Sequence, residues 1–92
     1  MLGCGNVGAP LVGLIGERGA SVAARTGVSL SVSKVAIRDA SKPRPGIDSS
    51  LLTDDAASVV TSPDIDVVVE LMGGIEPART LVLKAIAEGK PV

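Results

Sequence analysis

Ninety-two residues with 46% apolar and 21% charged side chains have the composition of a folding, non-disordered chain, yet fall short of the ~100 to 150 residues at which single domains cluster. Nine Lys plus Arg against ten Asp plus Glu leave a formal charge of −1, without the basic excess that a nucleic-acid partner requires; the apolar runs are too short for a bilayer span, and no secretory signal is visible. With no His and no Phe, Tyr or Trp, these residues exclude imidazole acid–base chemistry, the usual metal-ligand sets and aromatic stacking on a base.

The chain opens on Met1-Leu2 and then Gly3-Cys4-Gly5-Asn6-Val7-Gly8, a G-x-G-x-x-G. In a strand–turn–helix, the first Gly of that pattern permits a tight turn, the second lets backbone approach a diphosphate, and the third lets helix and sheet pack closely. A helix N-terminus there would meet the negative charge with free N–H groups. The spacing alone is a weak signal, because a chain with 11 Gly produces it readily, so its context decides. Cys4, the lone cysteine, reads as a small filler between two glycines, and a single unpaired thiol fits the cytosol.

Residues 7 to about 24 carry Val7, Leu11, Leu14, Ile15 and Val22 largely at helical spacing, which predicts a first helix with one face toward a sheet. Pro10 is tolerated near its first turn. Gly13, Gly16 and Gly19 each weaken a helix interior by roughly 0.8 to 1 kcal/mol relative to Ala, which predicts a bend or break near residues 17–20 and close packing of these glycines on the sheet. Gly27 should cap the helix. Residues 30–37 then alternate as a second strand, and residues 40–50, with Pro43, Pro45 and Gly46, form a loop. Residues 51–53 read as a brief edge strand, residues 55–61 as a short helix, and Ser62-Pro63-Asp64 as a turn. Residues 65–71 hold Val67-Val68-Val69, a β-branched run suited to a central parallel strand covered on both faces. Residues 76–88, with Pro77 at the start and Gly89 after the end, are the last helix, before Pro91-Val92 begins another strand.

That alternation predicts an α/β fold: a Rossmann-type doubly wound parallel sheet with right-handed crossovers, incomplete because its first and last strands are truncated. Only Met1 and Leu2 precede the glycines, where a strand normally supplies five or six residues. Both ends therefore read as cut inside strands, and Met1 as an internal methionine. Residues 1–92 are expected to be one partial dinucleotide-binding domain, without a catalytic or substrate domain.

Two further stretches bear on a ligand. The end of the second strand reads Ile37-Arg38-Asp39-Ala40-Ser41-Lys42-Pro43-Arg44. An acid at this position accepts the ribose hydroxyls of NAD, whereas a guanidinium accommodates the 2′-phosphate of NADP and clamps it with paired hydrogen bonds. Arg38 arrives first, so the sequence leans to NADP; Asp39 keeps NAD open, and the bland alternative is a solvated charged turn. Glu70-Leu71-Met72-Gly73-Gly74-Ile75-Glu76-Pro77-Ala78 ends the central strand at its carboxyl edge, where open α/β sheets bind ligands. Its glycines allow backbone to close over a flat ligand or make an ordinary turn; Glu76 caps a helix or touches a ligand; Glu70 reads as a polar group satisfied locally, with no catalytic task.

Together with Ala24-Arg25-Thr26-Gly27-Val28, Ala36-Ile37-Arg38-Asp39, Lys42-Pro43-Arg44 and the stretch from Val67 through Arg79, the glycine motif resembles the N-terminal cofactor domain of bacterial homoserine dehydrogenases over nearly the whole chain. That family reduces aspartate semialdehyde to homoserine with NADPH or NADH, on the route to threonine, methionine and isoleucine. The resemblance implies that Gly3, Gly5, Asn6, Val7 and Gly8 hold the diphosphate of NADP, or of NAD. It assigns Arg38 with Lys42 to the 2′-phosphate, and Met72, Gly73 and Gly74 to the nicotinamide ribose. It also implies a cytoplasmic homo-oligomer that takes its small-molecule substrate, and its catalytic acid and lysine, from a domain absent here. The family's T-A-N-K segment, expected on the next strand, is not present. Two rivals stay open: a regulatory module that senses a nucleotide without chemistry, and a related amino-acid dehydrogenase.

Overall fold

A computed structural model describes residues 1–4, 8–39, 41, 44 and 46–92. The expected roles of Gly5, Asn6, Val7 and Lys42 fall outside the described residues. Helix α1 spans Gly8–Thr26, strand β1 Val35–Ala36 and strand β2 Leu52–Thr53, with a 3-10 turn, Ser49–Leu51, just before β2. Helix α2 is Ala56–Thr61 and helix α3 is Ala78–Ala87.

Strand β1 pairs in parallel with β2, Val35 opposite Leu52 and Ala36 opposite Thr53. On its other side Leu2 makes parallel bridges to both Ala36 and Glu70. Four backbone bonds of 2.8 Å carry this centre: Ala36 N–H to Met1 O, Gly3 N–H to Ala36 O, Leu2 N–H to Val69 O, and Leu71 N–H to Leu2 O. Beyond it, Val68 N–H donates to Pro91 O at 2.9 Å. The lateral order is therefore β2, β1, residues 1–3, residues 69–71, Pro91, which puts the opening residues in the middle of the sheet. The regular ladder of β1 is shorter than the 30–37 expected, because Met1 pairs no earlier than Lys34, whose carbonyl accepts from the Met1 nitrogen at 2.7 Å. Residues 31–34 carry no ladder assignment.

The period-two alternation of strands sends consecutive side chains to opposite faces. Leu2, Ala36 and Val68 pack with Val59 and Val60 of α2 and Leu81 and Ala85 of α3. Met1, Val35 and Ile37 pack on the other face with Cys4 and Ile47, against Ala9, Leu11 and Val12 at the start of α1. One helix on one face and two on the other is the doubly wound arrangement. The expected coverage of residues 67–69 on both faces is not what the fold provides. Val68 is wholly buried under α2 and α3, whereas Val67 is 52% and Val69 36% exposed, since α1 lies over residues 1–4 and β1 instead.

Helix α1 runs unbroken for 19 residues, so the bend expected near residues 17–20 does not occur. Nor do its glycines press on the sheet. A Cβ at Gly13 or Gly16 would meet nothing within 4 Å, and one at Gly19 only the carbonyl oxygen of Leu30 at 3.8 Å. The propensity loss is spread over a long ladder whose inner face, Leu11, Val12, Ile15 and Val22, is at least partly covered. The helix then stops at Gly27, whose N–H reaches Ala23 O at 2.9 Å.

The short helices carry their own caps. Asp55 accepts from Ser58 N–H at 3.1 Å, satisfying a free amide at the start of α2. Glu76 does the same for α3, its Oε2 accepting from Thr80 Oγ1 at 2.6 Å and Thr80 N–H at 3.3 Å. The Glu76–Pro77 peptide bond that precedes α3 is cis.

Candidate cofactor-binding site

The loops at the carboxyl ends of residues 1–3, of β1 and of residues 69–71 converge on one cleft of about 450 Å³, a size suited to a small-molecule site. Its lining includes Gly3, Arg38, Arg44, Met72, Gly73 and Glu76. Residues drawn from three widely separated stretches of sequence thus share one concave surface at the sheet's carboxyl edge.

Gly3 is the hinge between strand and loop. It adopts φ +83°, and a Cβ there would stand 3.1 Å from the Leu71 carbonyl carbon and the Met72 nitrogen and 3.2 Å from Leu71 O. An L side chain would be strained by the left-handed backbone and would also crowd main-chain atoms, which would have to give by a few tenths of an ångström. The glycine loop and the turn after residue 71 therefore touch backbone to backbone. Gly8, at the start of α1, is buried, and a Cβ there would lie 3.3 Å from both Cys4 Sγ and Met1 Cε. Cys4, only 4% exposed, fills the space under the helix start, the packing role its sequence position suggested.

Arg38 follows β1 as an exposed residue on the cleft wall, and half-buried Arg44 joins it there. Sequence reasoning noted Arg44 but assigned the second cationic role to Lys42. Asp39 is turned to local use: its Oδ1 accepts from both the N–H and the hydroxyl of Ser41. These bonds, side chain first, and then the charge of Arg44 hold its carboxyl below the usual carboxylate range. Asp39 does not line the cleft.

Across the cleft, Met72 is half-buried, packed against the α2 and α3 core, while Gly73 and Gly74 take φ +72° and +71°. Gly73 lines the cleft and Gly74 follows outside it. Glu70 is half-buried and satisfied locally, as its sequence position implied: its Oε1 accepts from Met72 N–H at 2.6 Å and Gly73 N–H at 3.2 Å. The capping bonds of Glu76 settle its first duty, although it also borders the cleft.

The cleft suits a dinucleotide on this geometry: a side-chain-free strand end at Gly3, packed on the main chain of Leu71 and Met72, two guanidinium groups lining one part, and a glycine turn lining another. A parallel, doubly wound sheet with a ligand cleft at the carboxyl edge of its central strands defines a Rossmann-type dinucleotide-binding domain.

Comparison with known proteins narrows that class. A family model described as the NAD binding domain of homoserine dehydrogenase matches residues 3–92. Homoserine dehydrogenase of Corynebacterium glutamicum is 45% identical over 92 residues, covering 100% of this chain and 21% of that protein. The Synechocystis enzyme is 42% identical over 94 residues, again with 100% and 21% covered. A crystal structure of Staphylococcus aureus homoserine dehydrogenase at pH 6.5 superposes with a TM-score of 0.87 and 32% identity, over 97% of this chain and 22% of that one.

The chain belongs to the homoserine dehydrogenase NAD-binding domain family. It spans about a fifth of the length of the curated relatives it matches. The regulatory nucleotide sensor loses its support with that membership. Among the described residues, no helix is long and apolar enough to cross a membrane.

Proposed function

We infer that residues 1–92 are the partial dinucleotide-binding domain of a homoserine dehydrogenase that reduces aspartate semialdehyde to homoserine in the cytoplasm, as a homo-oligomer, with NADPH preferred over NADH. The observation that carries this reading is the shared cleft of Gly3, Arg38, Met72 and Gly73 in a chain of this family. When bound, the nicotinamide supplies the hydride; these residues contribute binding and orientation. Gly3 and Gly8, with Gly5, Asn6 and Val7 between them, hold the diphosphate at the start of α1, where main-chain donors and the dipole's positive end meet its charge. Arg38, helped by Lys42, takes the 2′-phosphate. Met72, Gly73 and Gly74 support the nicotinamide ribose. The substrate and the groups that handle its proton are placed in another domain of the whole protein.

The test is steady-state kinetics on the native full-length polypeptide. Arg38→Ala should weaken NADPH by roughly ten- to a hundredfold while leaving NADH nearly unchanged, because one charge-assisted contact belongs only to the phosphorylated cofactor. Equal losses for both cofactors would remove the 2′-phosphate role, and a parent with no aspartate-semialdehyde-dependent oxidation of NADPH or NADH would remove the enzyme assignment.

A further inference from the structure

Leu71 and Glu76 border the cleft beside the turn after residue 71, and Glu70 lies just behind them, bonded into the turn itself. Glu76 spends its carboxylate on Thr80 at the start of α3. The carbonyl of Leu71 faces Gly3, 3.2 Å from where a Cβ would stand. Glu70 reaches into the turn that follows it, with Oε1 shared between the amides of Met72 and Gly73 at 2.6 and 3.2 Å.

We propose that Glu70 is a positioning residue for the dinucleotide: its carboxylate clasps the Met72 and Gly73 amides and so fixes the left-handed turn that forms the nicotinamide wall of the cleft. This rests on reading the cleft as the dinucleotide site. The turn needs such a clasp. Two successive glycines at φ +72° and +71° have more backbone freedom to lose than any other pair, and without a partner their turn would be one geometry among many. The strand ladder ends at Leu71 N–H, bonded to Leu2 O at 2.8 Å, so Met72 and Gly73 are the first amides past the sheet. A charged acceptor makes the stronger kind of hydrogen bond, and one oxygen serving both amides bends the chain back at that point.

The clasp has a second consequence. It removes two main-chain donors from the wall opposite Arg38 and Arg44 and sets a carboxylate behind them. Among the described lining residues the cationic donors left for phosphate oxygens are Arg38 and Arg44, so a dinucleotide entering the cleft is oriented with its uncharged half over Met72 and Gly73.

The experiment uses the native full-length polypeptide and two variants, Glu70→Ala and Glu70→Gln, the second keeping a carbonyl oxygen as acceptor. Glu70→Ala should raise the KM for NADPH about tenfold and leave the KM for aspartate semialdehyde unchanged, with Glu70→Gln within about twofold of the parent. Backbone hydrogen exchange across residues 71–74 should be slow in the parent and in Glu70→Gln and accelerated at least about tenfold in Glu70→Ala. A residue that only supports the fold would reduce the active fraction, leave KM alone and gain nothing from Gln. Parent-like KM in Glu70→Ala, equal losses in both variants, or free exchange at Met72 and Gly73 in the parent would each overturn the proposal. The exchange measurement stands even where Glu70→Ala does not fold. A parent that binds no NADPH while its turn is protected would overturn the functional reading, and this role with it, but leave the clasp itself in place.

Discussion

The glycines at the entrance of α1 and those in its middle look alike in sequence and differ in every physical respect. Gly3 sits at φ +83° with main-chain atoms 3.1 Å from an added Cβ, and Gly8 has Cys4 Sγ and Met1 Cε at 3.3 Å; Gly13 and Gly16 face open space on an exposed helix surface. The first pair is required by close approach, between two loops in one case and between helix and loop in the other. The second pair is merely tolerated. A glycine motif is therefore informative only where something presses on the missing side chain, and that contact, rather than the spacing, distinguishes Gly3 and Gly8.

Substitution should separate the two groups. Gly3→Ala is expected to have the largest effect, roughly 2 to 4 kcal/mol of lost stability, since the left-handed conformation alone costs ~1 to 2 kcal/mol and rigid backbone contacts add overpacking strain. Urea unfolding of the full-length protein measures it; a loss under about 0.5 kcal/mol would mean that the two loops do not touch as described. Gly8→Ala should cost about 1 kcal/mol, because its neighbours are side chains that can shift by a few tenths of an ångström. Cys4→Ala should relieve part of that loss, so a double-mutant cycle should give a coupling of about 0.5 kcal/mol or more, and strict additivity would contradict the contact.

At the tolerated positions the sign reverses. Gly13→Ala and Gly16→Ala should each stabilise by roughly 0.8 to 1 kcal/mol, the propensity difference in a helix interior, and destabilisation at either would reveal a packing partner. The smallest effect concerns the loop that follows β1. Hydrogen bonds from Ser41 to Asp39 and from Ser50 to Asp48 lower both carboxyl pKa values. Stability from these bonds is thus fully present above the ordinary value of 3.8 and lost as pH falls through the lower folded values. An Asp39→Asn, Asp48→Asn double variant should flatten this acid limb of the stability curve; an unchanged limb would show that these turns make no net contribution.

Much of the architecture was legible because it is written in local patterns. The helical spacing of Leu81 and Ala85 and the terminators Gly27 and Gly89 each depend on neighbours in sequence, whereas the cap at Asp55, read in sequence as the helix's first residue, emerged from the structure. The central place of residues 1–3 followed from the rule for doubly wound sheets, and the bonds of Leu2 to both flanks agree with it. What stayed illegible depends on the third dimension. The β-branched run at 67–69 signals a strand but not which face a helix will cover, so the exposure of Val67 and Val69 could not be read from it. The three helix glycines suggested a bend because propensity counts their cost without the ladder and the packed face that offset it. In the site, the type and order of Gly3, Arg38 and Gly73 were readable, whereas the bonds of Asp39 to Ser41 and the double acceptance by Glu70 are side-chain geometry. A glutamate directly before x-x-Gly-Gly at a strand end was the signal available for the latter.

The central claim is that a nicotinamide dinucleotide lies along the carboxyl edge of the sheet. A crystal structure of the native full-length protein with NADPH tests it most directly. The account predicts the diphosphate over residues 3–8 at the start of α1, the 2′-phosphate against Arg38, and the nicotinamide ribose against Met72 and Gly73, with the Glu70 carboxylate still bonded to both amides. Density for the dinucleotide in a second cavity, between Leu11 and Ile15 of α1 and the exposed Val67 and Val69, or with its diphosphate on the turn after Glu70, would contradict it.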